Sequence, residues 1–134
     1  MTDERFIIPQ GWPRGKGYAH GVATRGRLVF VAGQVGWNPL TGKFETDDLI
    51  GQVAQALRNI EAVLRAAVAE PGHVTRMTWY ITDKQAYLAA QARIGEVYRN
   101  VFGAHFPAMS VVEVKGLMEP RALVEIEATA VVPE

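Results

Sequence analysis

Cysteine is absent from these 134 residues, which excludes a disulfide framework, a thiolate metal site and a cysteine nucleophile. Histidine is scarce as well, and His20, His73 and His105 lie too far apart to form a metal-ligand spacing, so no metal site is expected. No excess of one charge exists either. Lys+Arg number 14 and Asp+Glu number 14, a balance without the basic surplus that drives binding to nucleic acid, and no nucleic-acid partner is expected. Long apolar runs are missing, and the chain opens on MTDER rather than on a basic segment followed by an apolar one. Membrane insertion and export are therefore not expected, and a cytoplasmic location is. What remains is 49% hydrophobic and 21% charged residues, an ordinary globular balance of one-domain size, so residues 1–134 are read as one unit.

Residues 1–17 carry Pro9, Gly11, Pro13, Gly15 and Gly17, an irregular lead-in with a short strand around Phe6 to Ile8. Tyr18 to Thr24 and Arg27 to Gln34 flank Arg25-Gly26 and predict a β-hairpin. A turn-rich loop follows from Gly36 to Phe44. Leu49, Ile50, Val53, Leu57, Ile60, Val63, Leu64, Ala67 and Val68 recur at helical spacing, predicting an amphipathic helix from Asp48 to about Ala69, capped by Thr46 or Asp47 and stopped by Pro71-Gly72. Val74 to Thr82 alternates with period two, as a strand with Met77, Trp79 and Ile81 buried. A second helix is expected from Lys84 to Phe102, with Tyr87, Leu88, Ile94, Val97, Tyr98 and Phe102 inward, and strands from Met109 to Lys115 and Ala122 to Val132 complete the chain. The order ββαβαββ predicts an α+β fold, one sheet with two helices on one face.

On the last strand Val124, Ile126, Ala128 and Ala130 form one face, and Leu123, Glu125, Glu127, Thr129 and Val131 the other. The alternation of the preceding strand groups Met109, Val111, Glu113 and Lys115, and these are expected to join the glutamates on the second face. Such a face is either simply solvated or, given its apolar members, an association surface.

Tyr18-Ala19-His20-Gly21-Val22, Leu28 to Gln34, Asn38-Pro39 with Thr41-Gly42, Tyr80-Ile81-Thr82-Asp83, Phe106-Pro107-Ala108-Met109-Ser110 and Leu123 to Ala128 together resemble the RidA/YjgF family of enamine/imine deaminases. The match runs from about Tyr18 to the end of the chain. The resemblance implies a chorismate-mutase-like fold, assembled as a homotrimer whose sheets form a central barrel. It also implies a small-molecule ligand in clefts between subunits, where imines are hydrolysed without a cofactor.

Residue by residue, the resemblance makes Tyr18 the tyrosine beside the ligand and Gly33 the glycine of the cleft-lining strand. Glu125 becomes the glutamate that holds water, with a structural role at the subunit seam as the open alternative. Met109 replaces the family's substrate-clamping arginine and offers no donor for a carboxylate, a loss on the order of a few kcal/mol. Gly95 stands where many members carry an asparagine, and Val111 where a cysteine or small residue lines the pocket. The expected substrate-binding set is thus Tyr18, Gly33, Met109, Val111 and Gly95, with Glu125 catalytic and activity on 2-aminoacrylate doubtful. Lys115 and Arg121 are the nearest cations that could replace the arginine. A non-catalytic trimeric ligand-binding module is the alternative function, and a ribonuclease, an older label in the family, is disfavoured by the neutral charge and the lack of a histidine pair.

Overall fold

The computed structural model describes residues 4–134. Its main sheet is built from β3 (Arg27–Val35), β6 (Val74–Ile81), β7 (Ala108–Glu113) and β8 (Val124–Val132) in the spatial order β3-β8-β6-β7. β8 runs antiparallel to both its neighbours, whereas β6 and β7 are parallel and need a helical crossover between them. Two small ribbons flank the sheet: β1 (Phe6–Ile7) with β2 (Gly21–Val22), and β4 (Trp37–Asn38) with β5 (Lys43–Phe44).

The hairpin expected across Arg25-Gly26 does not form, because the segment before it is hydrogen-bonded elsewhere. Gly21–Val22 pairs with Phe6–Ile7, Ala23 N–H donates to the Arg5 carbonyl, and Ala19 N–H donates to the Pro107 carbonyl. Gly26, at φ +151°, is needed for a different reason: a Cβ there would collide with the Val132 carbonyl. The Gly36 to Phe44 loop likewise contains a ribbon, turned by Gly42 at φ +69°.

Helix α1 (Leu49–Ala66) is capped by Asp48 rather than Thr46 or Asp47, its carboxylate accepting from Gly51 N–H at 3.0 Å. It stops before Ala69, with Val68 already left-handed at φ +57°, and Pro71–His73 forms a 3-10 turn. The second expected helix breaks at Ala90 into α2 (Lys84–Ala89) and α3 (Gln91–Phe102). Leu88, expected inward, is 46% exposed on the short α2. Val53, Leu57, Ile60 and Leu64 of α1 and Ile94, Tyr98 and Phe102 of α3 bury one face of the sheet, against Val29, Val31, Met77, Trp79, Ile126 and Ala128. That layer leaves the opposite face open.

Polar pins fix α1 within this layer. Gln52 is fully buried; its amide donates to the Thr46 and Arg121 carbonyls, and its Oε1 accepts from Leu123 N–H. Asn59 donates to the carbonyls of Val35 and Trp37, holding β3 and β4 to the helix. No helix formed by the described residues is long and apolar enough to cross a membrane.

Candidate functional site

The open face presents the acidic residues in an ordered arrangement. Cross-strand partners share a face, so Tyr80 sits beside Glu125, and Thr78 beside Glu127. The Tyr80 hydroxyl donates to Glu127 Oε1 at 2.8 Å, and that bond, reinforced by desolvation and by the charges of Glu127 and Glu125, raises the phenol's pKa above its ordinary value. Glu127 is therefore engaged. Glu125 differs: it is half-buried and has no hydrogen-bond or ion-pair partner among the described residues. Its side chain lies over Gly33, where a Cβ would stand 2.8 Å from the carboxyl carbon. A register shift between Val31 and Gln34 brings Gly33 there, so β3 and β8 jointly shape the carboxylate's setting.

β7 does not add Met109, Val111 and Glu113 to this face. Met109 pairs with Met77 and Val111 with Trp79, both buried beneath the helices, so Met109 and Val111 pack on the core. Glu113 accepts from Lys84 N–H at 2.6 Å and supports the start of α2. The residues that β7 does turn to the open face are Ser110 and Val112, partners of Thr78 and Tyr80. The face's exposed apolar side chains are Leu28, Phe30 and Val112, while Val131, expected among them, is buried.

Tyr18 lies elsewhere, on a cavity of about 460 Å³ lined by Phe6 to Ile8, by Arg14 and its neighbours up to His20, and by Ala104 and Phe106 before β7. Ala19 bridges to Ala108 beside it. Neither Gly33, Glu125, Met109, Val111 nor Gly95 lines that cavity. Gly95 is on α3, with Arg99 folded beside it: a Cβ at 95 would stand 3.1 Å from Arg99 Nη1. Within one chain, then, Glu125 lies over Gly33, and Met109 and Val111 share the core-facing side of β7.

Of the two candidate cations, Arg121 is committed. Its guanidinium donates twice to Asp47 Oδ1, at 3.0 and 2.7 Å, and lies over the Phe44 ring. Lys115 is exposed just beyond β7. Trp37 packs within the chain, tilted on Phe44, and His105 is structural, its Nε2 2.6 Å from the Val74 carbonyl oxygen. Among the described residues no group of three or more His, Asp or Glu could hold a metal ion. The residue that sequence reasoning missed is Arg14, which shares the Tyr18 cavity; only its place in the glycine-rich lead-in marked it.

The family model described as Endoribonuclease L-PSP matches residues 13–132. The chain belongs to the RidA/YjgF family. A RutC family protein of Pyrococcus horikoshii is 35% identical over 127 residues, covering 95% of this chain and 97% of that protein. A Yersinia pestis structure described as YyfB, of the conserved Rid family, superposes with a TM-score of 0.84 at 36% identity, covering 96% of this chain and 98% of that one. A mouse protein named 2-iminobutanoate/2-iminopropanoate deaminase is 31% identical over 106 residues, covering 78% of this chain and 74% of that protein.

Proposed function

We propose that this protein hydrolyses a small imine or enamine to a carbonyl compound and ammonia, in clefts between the subunits of a homotrimer. The observation that carries the reading is the half-buried Glu125 carboxylate, which has no hydrogen-bond or ion-pair partner among the described residues although its neighbour Glu127 is taken by Tyr80. A carboxylate so placed accepts a hydrogen bond from water and aims it at the C=N carbon. An enamine first takes a proton at its β-carbon and gives one up from nitrogen to become the imine; water then adds to the C=N carbon as one of its protons passes to nitrogen, and the hydroxyl proton of the resulting carbinolamine follows to nitrogen as C=O forms, the C–N bond breaks and ammonia leaves. The similarity to a protein named 2-iminobutanoate/2-iminopropanoate deaminase supports this class of reaction.

Association supplies what one chain lacks. Leu28 and Phe30, 57% and 73% exposed on the open face, favour covering that face with further copies of the chain, which would bring a neighbour's residues towards Glu125. Met109, packed against the core, gives no carboxylate clamp, so 2-aminoacrylate is expected to be a poor substrate. The test is ammonia release from a panel of imines and enamines generated in situ, run beside a family member that retains the arginine. Release from any of them above the uncatalysed rate supports the enzyme. Saturable binding with no release from any would replace it with a ligand-binding module.

A further inference from the structure

Gln52 lies on the helix side of the sheet, yet its hydrogen bonds act at the end of the strand that carries Glu125. The side chain is fully buried, and its partners are all backbone groups: Nε2 donates to the carbonyls of Thr46 at 3.1 Å and Arg121 at 3.0 Å, and Oε1 accepts from Leu123 N–H at 2.8 Å. Two of the three belong to the segment that leads into β8. Leu123 stands two residues, about 7 Å of extended chain, before Glu125. Its carbonyl is held as well, accepting from Thr82 N–H at 3.2 Å just past β6. The residue before β8 is thus fixed at both its amide and its carbonyl.

The same helix holds the opposing strand. Val35, the partner of Glu125 on β3, gives its carbonyl to Asn59 Nδ2 at 3.2 Å, and Gln55 steadies that amide by donating to Asn59 Oδ1 at 2.8 Å. Gly36 then lets the chain press against Gln52 itself, where a Cβ would stand 2.5 Å from the Gln52 Cα. These attachments fall at the end of β3 and the entry to β8, where a ladder constrains the backbone least, and next to the register shift that carries Gly33.

We infer that Gln52 is a positioning residue: by fixing Leu123 from behind the sheet it sets where the Glu125 carboxylate stands over Gly33, and so the direction in which water is aimed in the reaction proposed above, on which this role rests. An apolar side chain of the same length would fill the space but leave the Leu123 N–H and the Arg121 carbonyl without their buried partner, and the segment must shift to find others. A small misplacement of a reacting group costs rate far more than it costs substrate binding. Loss of Gln52 therefore acts on kcat and not on KM.

The experiment compares the full-length wild type with Gln52→Met and with Val53→Ala, a change at the next residue of α1, whose apolar side chain is equally buried. Two-dimensional NMR reads the cross-peak between Glu125 Hγ and Gly33 Hα, which the wild type should show because a Gly33 Cβ would stand 2.9 Å from Glu125 Cγ. Gln52→Met should lose that cross-peak and exchange the Leu123 amide hydrogen about ten-fold faster or more. Its kcat for ammonia release should fall about ten-fold, with KM within about two-fold of the wild type. Val53→Ala should melt earlier and leave all three readouts unchanged. Gln52→Glu is the second variant: burial between carbonyls favours its protonated form, which keeps one donor and the acceptor, so at about pH 6 it should retain the cross-peak. A cross-peak or a kcat unchanged in Gln52→Met, equal effects in Val53→Ala, or failure of both Gln52 variants to fold would each overturn the inference. Should the wild type release no ammonia, the proposed reaction falls, and the cross-peak and the amide exchange alone decide whether Gln52 positions the carboxylate.

Discussion

Glu125 lies across Gly33, in the space that a Cβ at that position would fill. The glycine therefore does for the carboxylate what a side chain could not: it lets β8 project a half-buried acid over the backbone of β3. In Gly33→Ala the flexible end of Glu125 must swing aside, while the strand itself tolerates alanine. We expect turnover of any imine the wild type accepts to fall by about ten-fold or more, with a loss of stability under about 1 kcal/mol. Steady-state ammonia release and thermal melting, measured on the same preparation, check this; unchanged turnover would separate Gly33 from the reaction.

Glu125→Gln keeps the shape and removes the charge that would hold water. Because the carboxylate has no hydrogen-bond or ion-pair partner among the described residues, folding should lose little, whereas turnover should drop by about a hundred-fold. Glu127→Gln is the matched control, since an amide oxygen still accepts from Tyr80. Full turnover in Glu125→Gln, or a variant that melts early or fails to assemble, would assign Glu125 to structure.

How far these features could be read beforehand depends on the range of the interactions that set them. The periodicity of α1 and the alternation of Met77, Trp79 and Ile81 are local, and both elements stand where the pattern put them. The strand Gly21–Val22 was misassigned to a hairpin because its partner, Phe6–Ile7, is remote, and the glycine at 26 that looked like a turn serves the approach of Val132. The alternation of β7 is real, but period two does not reveal which set faces the helices; parallel pairing with β6 decides it, and puts Met109 and Val111 inward. The break at Ala90 has no glycine or proline to announce it. Gln52 and Asn59 gave no sign of being buried, since their partners are backbone groups far along the chain. Strand alternation sets Glu125 on the second face and the family resemblance gives it a role, Gly33 is legible through that resemblance alone, and Arg14, outside the matched motifs, shows only through the cavity.

The exposed apolar residues of the open face predict association. Light scattering should give three times the 14.7 kDa chain mass at micromolar concentration, and Phe30→Glu should shift the population towards monomer by burying charge at the contact. A wild-type protein that is monomeric under those conditions would remove the intersubunit cleft from the proposed function.

Val68 holds a left-handed backbone at φ +57° just past the end of α1, where a β-branched side chain is strained and 81% exposed. Its side chain is not part of the core cluster, so Val68→Gly should relieve strain and stabilise the protein by about 1 kcal/mol. Arg27, which donates to the Ala67 carbonyl at 2.8 Å, completes the same helix end. Urea unfolding would measure the gain, and a destabilised glycine variant would show that the side chain packs after all.

Three tyrosines make stability sensitive to alkali. Burial raises the phenol pKa of Tyr98 and Tyr87, and the hydrogen bond to Glu127 chiefly raises that of Tyr80, each from an ordinary value of 10.0. A folded-state pKa above the unfolded one means that the folded protein holds the proton more tightly. The contribution is complete below pH 10 and declines as the pH climbs from there through the folded values. Tyr98 should dominate: it is 4% exposed, stacks on Phe102 and Phe106, and donates to the His105 carbonyl at 2.6 Å. Tyr98→Phe keeps the stacking and loses that hydrogen bond, so it should cost about 1 kcal/mol at neutral pH. The same variant should then lose stability less steeply than the wild type above pH 10, by about 1.4 kcal/mol per pH unit for the one proton removed from the balance. Lysines titrate in the same range in both proteins, so the difference between their urea-unfolding curves from pH 7 to 11 isolates the tyrosine. Parallel declines in the two proteins would show that Tyr98 is not the group that fails.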